Sequence, residues 1–230
     1  TQLLEILSDP VPQTRASAAL ALGQLAHGNE SNEAIVPILM KAMREDMNHI
    51  ERSGAAQGLA HVCANLNLDY FESALLPEIL DVCENGSVNA QQGYLAIFSF
   101  LPEAMGMRFE RFLDVSLPII ISGLASETEL VREAALKGGQ AVVRKFASSR
   151  VDMLIPVFKD RIFDANWRIR SSAVQLLGDL LYQVSGAHDD FAQRDISVLL
   201  EDEHRSSVLA VLYILRLDSV DSVANTATHV

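Results

Sequence analysis

Apolar and polar positions alternate along this chain with the period of a helix. The clearest example is the stretch from residue 130 to residue 147, in which Val131, Ala135, Gly138, Val142 and Phe146 recur at steps of three and four residues. Such a stripe predicts an amphipathic helix with one apolar face. No Asn-Gly or Asp-Gly pair joins two runs of strand-like alternation, so β-hairpins are not predicted. We therefore predict an all-α fold.

Two further features of the chain return with a common period. The first is a proline inside an apolar stretch, and these prolines, 40, 41 and 38 residues apart, are Pro37, Pro77, Pro118 and Pro156. A short polar turn and a second apolar stretch, rich in Ala and Gly, follow each of them. The second feature is a polar residue early in that second stretch, and the set is Arg15, Arg52, Gln91, Arg132 and Arg170. A shared period of about 40 residues predicts a repeated helix pair.

A helix pair of this size cannot bury its apolar side alone, so successive pairs should stack. We predict an α-α superhelix, a solenoid of about five to six pairs. The predicted bounds are a partial repeat at 1–27, repeats at 31–67, 70–106, 109–147 and 149–186, and a partial, divergent repeat at 194–230. In the repeat at 70–106, one continuous second helix is expected from residue 88 to residue 106. Because neither end has the polar outer face of a terminal repeat, we expect a piece of a longer solenoid.

An acidic residue recurs in the predicted turns, six positions before the arginine of the second helix. The pairs are Asp9 with Arg15, Asp46 with Arg52, and Asp164 with Arg170. Ser126 replaces the acid before Arg132, and the last predicted repeat departs from the pattern because Ala224 stands six positions after Asp218. Hydrogen-bonded ion pairs between stacked repeats would fix their register, although each exposed pair contributes less than about 1 kcal/mol. We call the following set the ladder residues: Asp9, Arg15, Asp46, Arg52, Arg132, Asp164 and Arg170.

The composition excludes several classes of protein. With 49% apolar and 21% charged residues in a chain of 230, there is enough material for a core. The formal net charge of -12 argues against a general binder of nucleic acid or of anionic membranes. No apolar run approaches the roughly 18 residues that a membrane helix needs, and no signal peptide opens the chain. Cys63 and Cys83 do not make a disulfide framework, so we expect buried thiols in a reducing compartment.

Basic residues concentrate between residues 130 and 170, where nine of them stand against four acidic ones. Such a segment could contact the phosphates of a nucleic acid, with a strength that falls as salt rises. The candidate anion contacts are Lys137, Arg144, Lys145, Arg150 and Arg168. A solvated helix face explains the same residues, and both interpretations stay open. Trp167 likewise fits either packing between repeats or a binding hot spot.

Catalytic, cofactor and metal sites are not predicted. His188, Asp189, Asp190 and Asp195, with the acidic run at 201–204, suggest a metal site, but they lack a zinc-binding spacing and also fit a solvated acidic loop. The chain has no G-x-S-x-G motif and no phosphate-binding loop, and its histidines are scattered. We therefore expect a protein that is not an enzyme and takes no small-molecule substrate.

Three stretches carry a resemblance to a known family. They are ERSGAAQGLA at 51–60, ELVREAALKGGQ at 129–140 and WRIRSSAVQLLGDLL at 167–181. With the proline of the first helix, the turn acid and the arginine, they resemble HEAT repeats, and more narrowly the general-control translational activator. The resemblance covers residues 1–186 and, weakly, 194–230. It implies a cytoplasmic, ribosome-associated scaffold that promotes activation of the kinase of initiation factor two alpha in amino-acid starvation and ribosome stalling.

The same resemblance implies where this segment lies and what it contacts. It places the segment in the middle of a giant protein, between a region similar to elongation factor three and the kinase-binding region. The implied partners are the ribosome and translation-control proteins, and the loop at 185–194 is shorter than the family's usual one. The alternative is a HEAT adaptor of the nuclear-transport or phosphatase-scaffold type, which binds a peptide or protein in its concave face.

Overall fold

A computed structural model describes residues 2–26, 32–45, 48–185 and 202–230 of the chain. Within these ranges every regular element is a helix. The helices form two compact units, Thr1–Ala141 and Val142–Val230, which we call unit 1 and unit 2. The predicted all-α fold of HEAT/armadillo type is confirmed.

Unit 1 contains most of the helices. They are α1 (Gln2–Ile6), α2 (Pro12–Ala26), α3 (Asn32–Glu45), α4 (His49–Cys63), α5 (Leu68–Tyr70), α6 (Leu76–Asn85), α7 (Val88–Ala96), α8 (Leu101–Met105) and α9 (Leu113–Leu124). A π-helical segment, Phe71–Leu75, joins α5 to α6, and the 3₁₀ segments Ile97–Ser99 and Gly106–Phe112 flank α8. The boundary between the units falls within α10 (Glu129–Phe146). Unit 2 continues with α11 (Val151–Arg161), α12 (Trp167–Ser185), α13 (Asp202–Leu215) and α14 (Asp221–His229).

Helix pairs lie against one another within each unit. In unit 1, α3 packs on α4 and α6 packs on α7, while the second helices α2, α4 and α7 contact one another in succession. In unit 2, α11 packs on α12 and α13 packs on α14, while α12 contacts α14. Each pair therefore buries apolar surface against its neighbour, as stacked repeats must.

The helix α4 lies at the centre of unit 1. Its residues Ala56, Leu59 and Cys63 are fully buried. At Gly54 the neighbouring helix approaches so closely that a Cβ atom would collide with the carbonyl oxygen of Leu7. Glycine inside a helix costs about 1 kcal/mol relative to alanine. The close contact between α4 and the end of α1 is the physical reason for a residue without a side chain at this position.

The recurring prolines lie on the solvent side of the first helices. Pro37, Pro118 and Pro156 are inside helices, Pro77 is the second residue of α6, and all four are exposed. A proline in a helix interior deprives the carbonyl four residues earlier of its donor. Because this carbonyl lies on nearly the same side of the helix, water can replace the missing hydrogen bond.

The second helix of the repeat at 70–106 is interrupted, so the prediction of one continuous helix from residue 88 to residue 106 is wrong. Helix α7 ends at Ala96, and Phe100 leaves the helical region with a φ of -120°. Pro102 then occupies the second position of α8, where a backbone N–H would have no acceptor within the helix, so its absence in proline costs nothing. Gly106, with a φ of +58°, ends α8 in a conformation that other residues seldom adopt.

Candidate functional site

Three arginines of the second helices reach back into the turn before them. In each case Nη1 donates to the backbone carbonyl oxygens of the residues six and five positions earlier. The donor–acceptor distances run from 2.7 to 3.1 Å, and the contacts are Arg15 with Asp9 and Pro10, Arg132 with Ser126 and Glu127, and Arg170 with Asp164 and Ala165. The spacing of six residues therefore corresponds to a contact between a guanidinium and the main chain.

The side chain of the turn residue has a different partner. In Asp9 and Asp164, Oδ1 accepts a hydrogen bond from the backbone N–H two residues later, at 2.7 and 2.8 Å. In Ser126, Oγ accepts the corresponding N–H at 3.2 Å. This local turn needs only one acceptor on a short side chain. Serine can therefore replace aspartate in the turn without loss of the arginine contact.

Arg170 also bonds to the following helix pair. Its Nε lies 2.8 Å from Asp218 Oδ2 and its Nη2 lies 2.9 Å from Asp218 Oδ1, a bidentate ion pair. The two side chains are only 15% and 9% exposed. The hydrogen bond from Arg170 lowers the pKa of Asp218 below its ordinary value, and the hydrogen bond to Asp218 raises the pKa of Arg170. One guanidinium thus joins the turns of two successive repeats.

Arg52 is the most deeply buried charged side chain among the described residues. Its Nε donates to Gln92 Oε1 at 2.7 Å, and Gln92, in the next repeat, is buried as well. The adjacent Gln91, which the sequence pattern aligns with the arginines, donates to the carbonyl oxygen of Glu84 at 3.1 Å. The predicted partner of Arg52, Asp46, lies outside the described residues.

The candidate anion contacts differ in their surroundings. Lys137 lies in unit 1, where its Nζ is 3.4 Å from a carboxylate oxygen of Glu133 on the same helix. The other four lie in unit 2 and are Arg144, Lys145, Arg150 and Arg168. Arg144 is exposed, and the other three are partly buried. Arg150 Nε lies 3.9 Å from an oxygen of the exposed Asp152.

Trp167 is the first residue of α12, and the structure places it at the surface. Its side chain is 39% exposed, and the guanidinium of Arg168 lies 5.1 Å from the centre of the ring. The other exposed apolar residues of unit 2 include Phe163, at 63%, and Leu217, at 83%. Sequence reasoning missed both, because a single apolar residue beside a turn does not alter the periodic pattern.

Cys63 and Cys83 are free and buried, as the sequence predicted. Burial raises the pKa of the Cys63 thiol to about 12, and burial also raises the pKa of the Cys83 thiol. Since the thiolate is the reactive form of cysteine, both side chains should be inert at neutral pH.

The described part of the chain contains no group of three or more His, Cys, Asp or Glu side chains placed to hold a metal ion. Of the residues that suggested a metal site, those from 188 to 201 lie outside the described ranges, and so do the side chains of 202–204. Of the helices described, none combines the length and the apolar character needed to cross a membrane.

Comparison with known proteins shows which proteins this chain is related to. The family model for the HEAT repeat matches residues 1–28. Protein ILITYHIA of Arabidopsis thaliana is 40% identical over 100% of this chain. Stalled ribosome sensor GCN1 of Homo sapiens is 36% identical over 97% of it, and eIF-2-alpha kinase activator GCN1 of Saccharomyces cerevisiae is 35% identical over 96%. The chain is homologous to one segment of the GCN1 proteins.

These matches cover nearly all of this chain but only a small part of each relative. The chain spans 9% of the length of each of these relatives. Among solved structures, a designed armadillo repeat protein aligns over 99% of this chain and 96% of its own, with 16% identity and a TM-score of 0.42, a likeness too weak to carry an argument. The alignments with the GCN1 proteins confirm the resemblance predicted from the sequence, and the helix pairs make this segment a repeat scaffold of a GCN1-like protein.

Proposed function

We propose that this GCN1-like segment is a non-catalytic scaffold that contacts the ribosome in the cytoplasm. In the whole protein, it would help to relay ribosome stalling to the kinase that phosphorylates eIF-2-alpha. The observation that carries the proposal is the alignment of 95% to 97% of the chain with proteins named stalled ribosome sensor or eIF-2-alpha kinase activator. Stacked helix pairs suit this role because they present side chains along an extended surface.

The proposed ribosome contact consists of basic side chains of unit 2, namely Arg144, Lys145, Arg150 and Arg168. Arg144 and Lys145 lie in the last turn of α10, and Arg144 is exposed. Arg150 Nε lies 3.9 Å from an oxygen of the exposed Asp152, and an exposed pair of this kind contributes less than about 1 kcal/mol. The chain as a whole carries a net charge of -12, so only a local group of cations can approach RNA phosphates.

Co-sedimentation of this chain with purified ribosomes over a range of salt concentrations tests the contact. Replacing Arg144 and Lys145 together by glutamate should abolish two phosphate contacts, which weakens binding and lowers the slope of log affinity against log salt by about 1.5. Lys41→Glu is the matched control, since Lys41 is also an exposed helical cation, and it should leave binding unchanged. Equal sedimentation of the double variant at low salt would refute the contact.

A second measurement addresses the relay to the kinase. In cells whose GCN1 protein carries this chain in place of its own homologous segment, amino-acid starvation should raise phosphorylation of eIF-2-alpha. The Arg144 and Lys145 substitutions should reduce that rise, whereas Lys41→Glu should not. An undiminished rise in the double variant would show that the relay does not depend on these side chains.

A further inference from the structure

The connection between α10 and α11 carries two exposed serines among basic side chains. Arg144 and Lys145 stand four and three positions before Ser148, and Arg150 stands two positions after it. Among the exposed serines of the described ranges, Ser148 alone has three basic residues within four positions. We call residues 144–150 the basic turn.

The hydroxyl group of Ser148 has no structural task. The residue is exposed, and no hydrogen bond joins its hydroxyl to another described residue. The neighbouring Ser149 differs, since its Oγ lies 3.5 Å from the carbonyl oxygen of Phe146. Helix α11 does not use the Ser148 hydroxyl as a cap either, because its N-cap residue is Arg150. An exposed hydroxyl without a partner is open to an enzyme that modifies serine.

The winding of α10 continues through the basic turn. The N–H of Arg150 donates to the carbonyl oxygen of Phe146, four residues earlier, at 2.8 Å, which is the bond of an α-helical turn. Residues three and four positions apart are neighbours in this geometry, with about 5 to 6 Å between their Cβ atoms. Lys145 and Arg144 stand at these two spacings from Ser148. An anion on the Ser148 hydroxyl would therefore lie within reach of two cations.

Stacking of repeats does not bury Arg144. It stands twelve positions after Arg132, and Tyr182 stands twelve positions after Arg170 in the next repeat. Tyr182 is 52% exposed although α12 packs on both α11 and α14. The position thus belongs to the solvent side of the second helices. Among the described residues, no carboxylate lies within ion-pair distance of Arg144.

The formal charges of this region determine the effect of a phosphate on it. Residues 143–153 hold three cations and one carboxylate, that of Asp152, which gives a net charge of +2. A serine phosphate carries a charge of about -1.5 to -2 at pH 7 and would cancel it. The partial negative charge at the C-terminus of α10 opposes the phosphate, but it is only about half an elementary charge. Attraction to the cations is therefore the larger effect.

A second serine has a similar charge pattern, and its position in the fold excludes it. Ser171 follows Arg168 by three residues and Arg170 by one. It lies inside α12, where its Oγ is 3.2 Å from Thr226 Oγ1 of α14. A kinase must place the acceptor hydroxyl in line with the transferred phosphoryl group. Because that placement would require α12 to unwind from the helices on which it packs, the fold favours Ser148.

We propose that Ser148 is phosphorylated by a serine kinase that selects basic side chains around its acceptor, and that the phosphate closes the anion contact of unit 2. Kinases distinguish their substrates partly by such charge patterns. Ser148 Oγ attacks the γ-phosphorus of ATP, the bond from that phosphorus to the bridging oxygen breaks, ADP leaves, and the hydroxyl proton passes to the base of the kinase. The phosphate then pairs with Arg144 and Lys145, which no longer reach RNA phosphates. The modification stands alone, whereas its effect on ribosome binding rests on the proposed function.

Phosphorylation of the folded chain tests the site. The 230-residue chain is incubated with ATP, Mg²⁺ and the catalytic domain of a kinase that selects basic residues, and mass spectrometry locates the phosphate. We expect phosphate at Ser148 and none in Ser148→Ala. Ser149→Ala, in the same turn, is the matched control and should take up as much phosphate as the unchanged chain. A chain without phosphate at Ser148, or with phosphate at Ser149 or Ser171 in its place, would overturn the site.

The second pKa of the phosphate tests the pairing without the ribosome. In the phosphorylated chain it should lie below its usual value of about 6, because neighbouring cations favour the dianion. Phosphorus NMR measures it over a pH titration. Replacing Arg144 and Lys145 by glutamine should return the pKa to about 6, whereas the control Lys41→Gln should leave it lowered. An ordinary pKa in the unchanged chain would refute the pairing.

Co-sedimentation with purified ribosomes tests the closure. The phosphorylated chain, separated from the kinase, should bind about tenfold more weakly at about 50 mM salt, with a slope of log affinity against log salt that is lower by about 1.5. Kinase-treated Ser148→Ala should bind as the untreated chain does. Equal binding of the phosphorylated and unmodified chains would refute the closure. If the unmodified chain does not sediment, the proposed ribosome contact fails, while the mass spectrum and the NMR titration decide the modification and the pairing.

Discussion

Replacing Arg170 by alanine should destabilise unit 2 far more than replacing another arginine of the same unit. Arg170 donates to two turn carbonyls and, through two hydrogen bonds of 2.8 and 2.9 Å, to the carboxylate of Asp218. Without it, Asp218 keeps a charge at 9% exposure with no guanidinium beside it. Removing one partner of a buried pair costs about 3 to 5 kcal/mol. Since this pair is not completely buried, we expect a loss of about 3 kcal/mol.

The assay is urea unfolding followed by Trp167 fluorescence and by circular dichroism. Arg161→Ala is the matched control, because Arg161 is an exposed arginine with carboxylates at 3.5 and 3.8 Å, and it should cost less than about 1 kcal/mol. A double-mutant cycle with Asp218→Ala isolates the pair, and its coupling energy should be about 1.5 to 3 kcal/mol. Equal losses for Arg170→Ala and Arg161→Ala, or a coupling energy near zero, would refute the reasoning.

The dependence on pH gives an independent check of the same pair. The pKa of Asp218 is lowered in the folded chain, so its contribution is fully present above the ordinary pKa of an aspartate, near 4. That contribution is lost as pH falls through the lower pKa of the folded state. Arg170 stays charged throughout, because its pKa is raised. The difference in unfolding free energy between the unchanged chain and Arg170→Ala should therefore be constant from pH 5 to pH 8 and shrink below about pH 4.

Three further predictions concern unit 1. Gly54→Ala should cost about 3 kcal/mol or more in urea unfolding, because the added methyl group meets the backbone carbonyl of Leu7. Gly138→Ala, whose added methyl group comes no closer than 3.0 Å to a neighbour, Phe98 Cβ, should cost much less, and equal losses would contradict the close approach at Gly54. Arg52→Ala should lower the melting temperature far more than Lys41→Ala does. The loss of Arg52 leaves the buried Gln92 Oε1 unpaired, at a cost of about 1 to 3 kcal/mol. Similar melting temperatures for the two variants would contradict this. Cys63 should resist a thiol reagent at pH 8 until denaturant is added, and rapid labelling of the folded chain would contradict its burial.

The sequence was sufficient to predict the helix pairs because each apolar stripe continues for several turns. It also revealed the spacing between Asp164 and Arg170. The acceptor of the hydrogen bond from Arg170 could not be predicted, because it is a backbone carbonyl oxygen, a group that every residue carries. The bond from Arg170 to Asp218 joins residues 48 positions apart and depends on how two repeats stack. A local sequence pattern contains no information about contacts between residues so far apart in the chain.

The interruption of the second helix in the repeat at 70–106 was open to prediction. Pro102 and Gly106 are both visible in the sequence, and either can end a helix. The apolar residues around them continue the helical period, and this pattern concealed the break. The exposure of Phe163 and Leu217 depends on the direction of single side chains, which the periodic pattern does not determine. The candidate contacts at Arg144 and Lys145 stay predictions, because a charged helix face has the same pattern whether or not it binds a partner.

The bond from the second-helix arginine to main-chain oxygens has an evolutionary consequence. Substitution of the turn acid by another short side chain that carries an acceptor keeps the turn and leaves those oxygens in place, as Ser126 illustrates. Substitution of the arginine removes both bonds at once. Purifying selection should therefore act on Arg15, Arg132 and Arg170 more strongly than on the residues six positions earlier. A search profile weighted toward the arginine should then recover diverged modules that a profile weighted toward the acid overlooks.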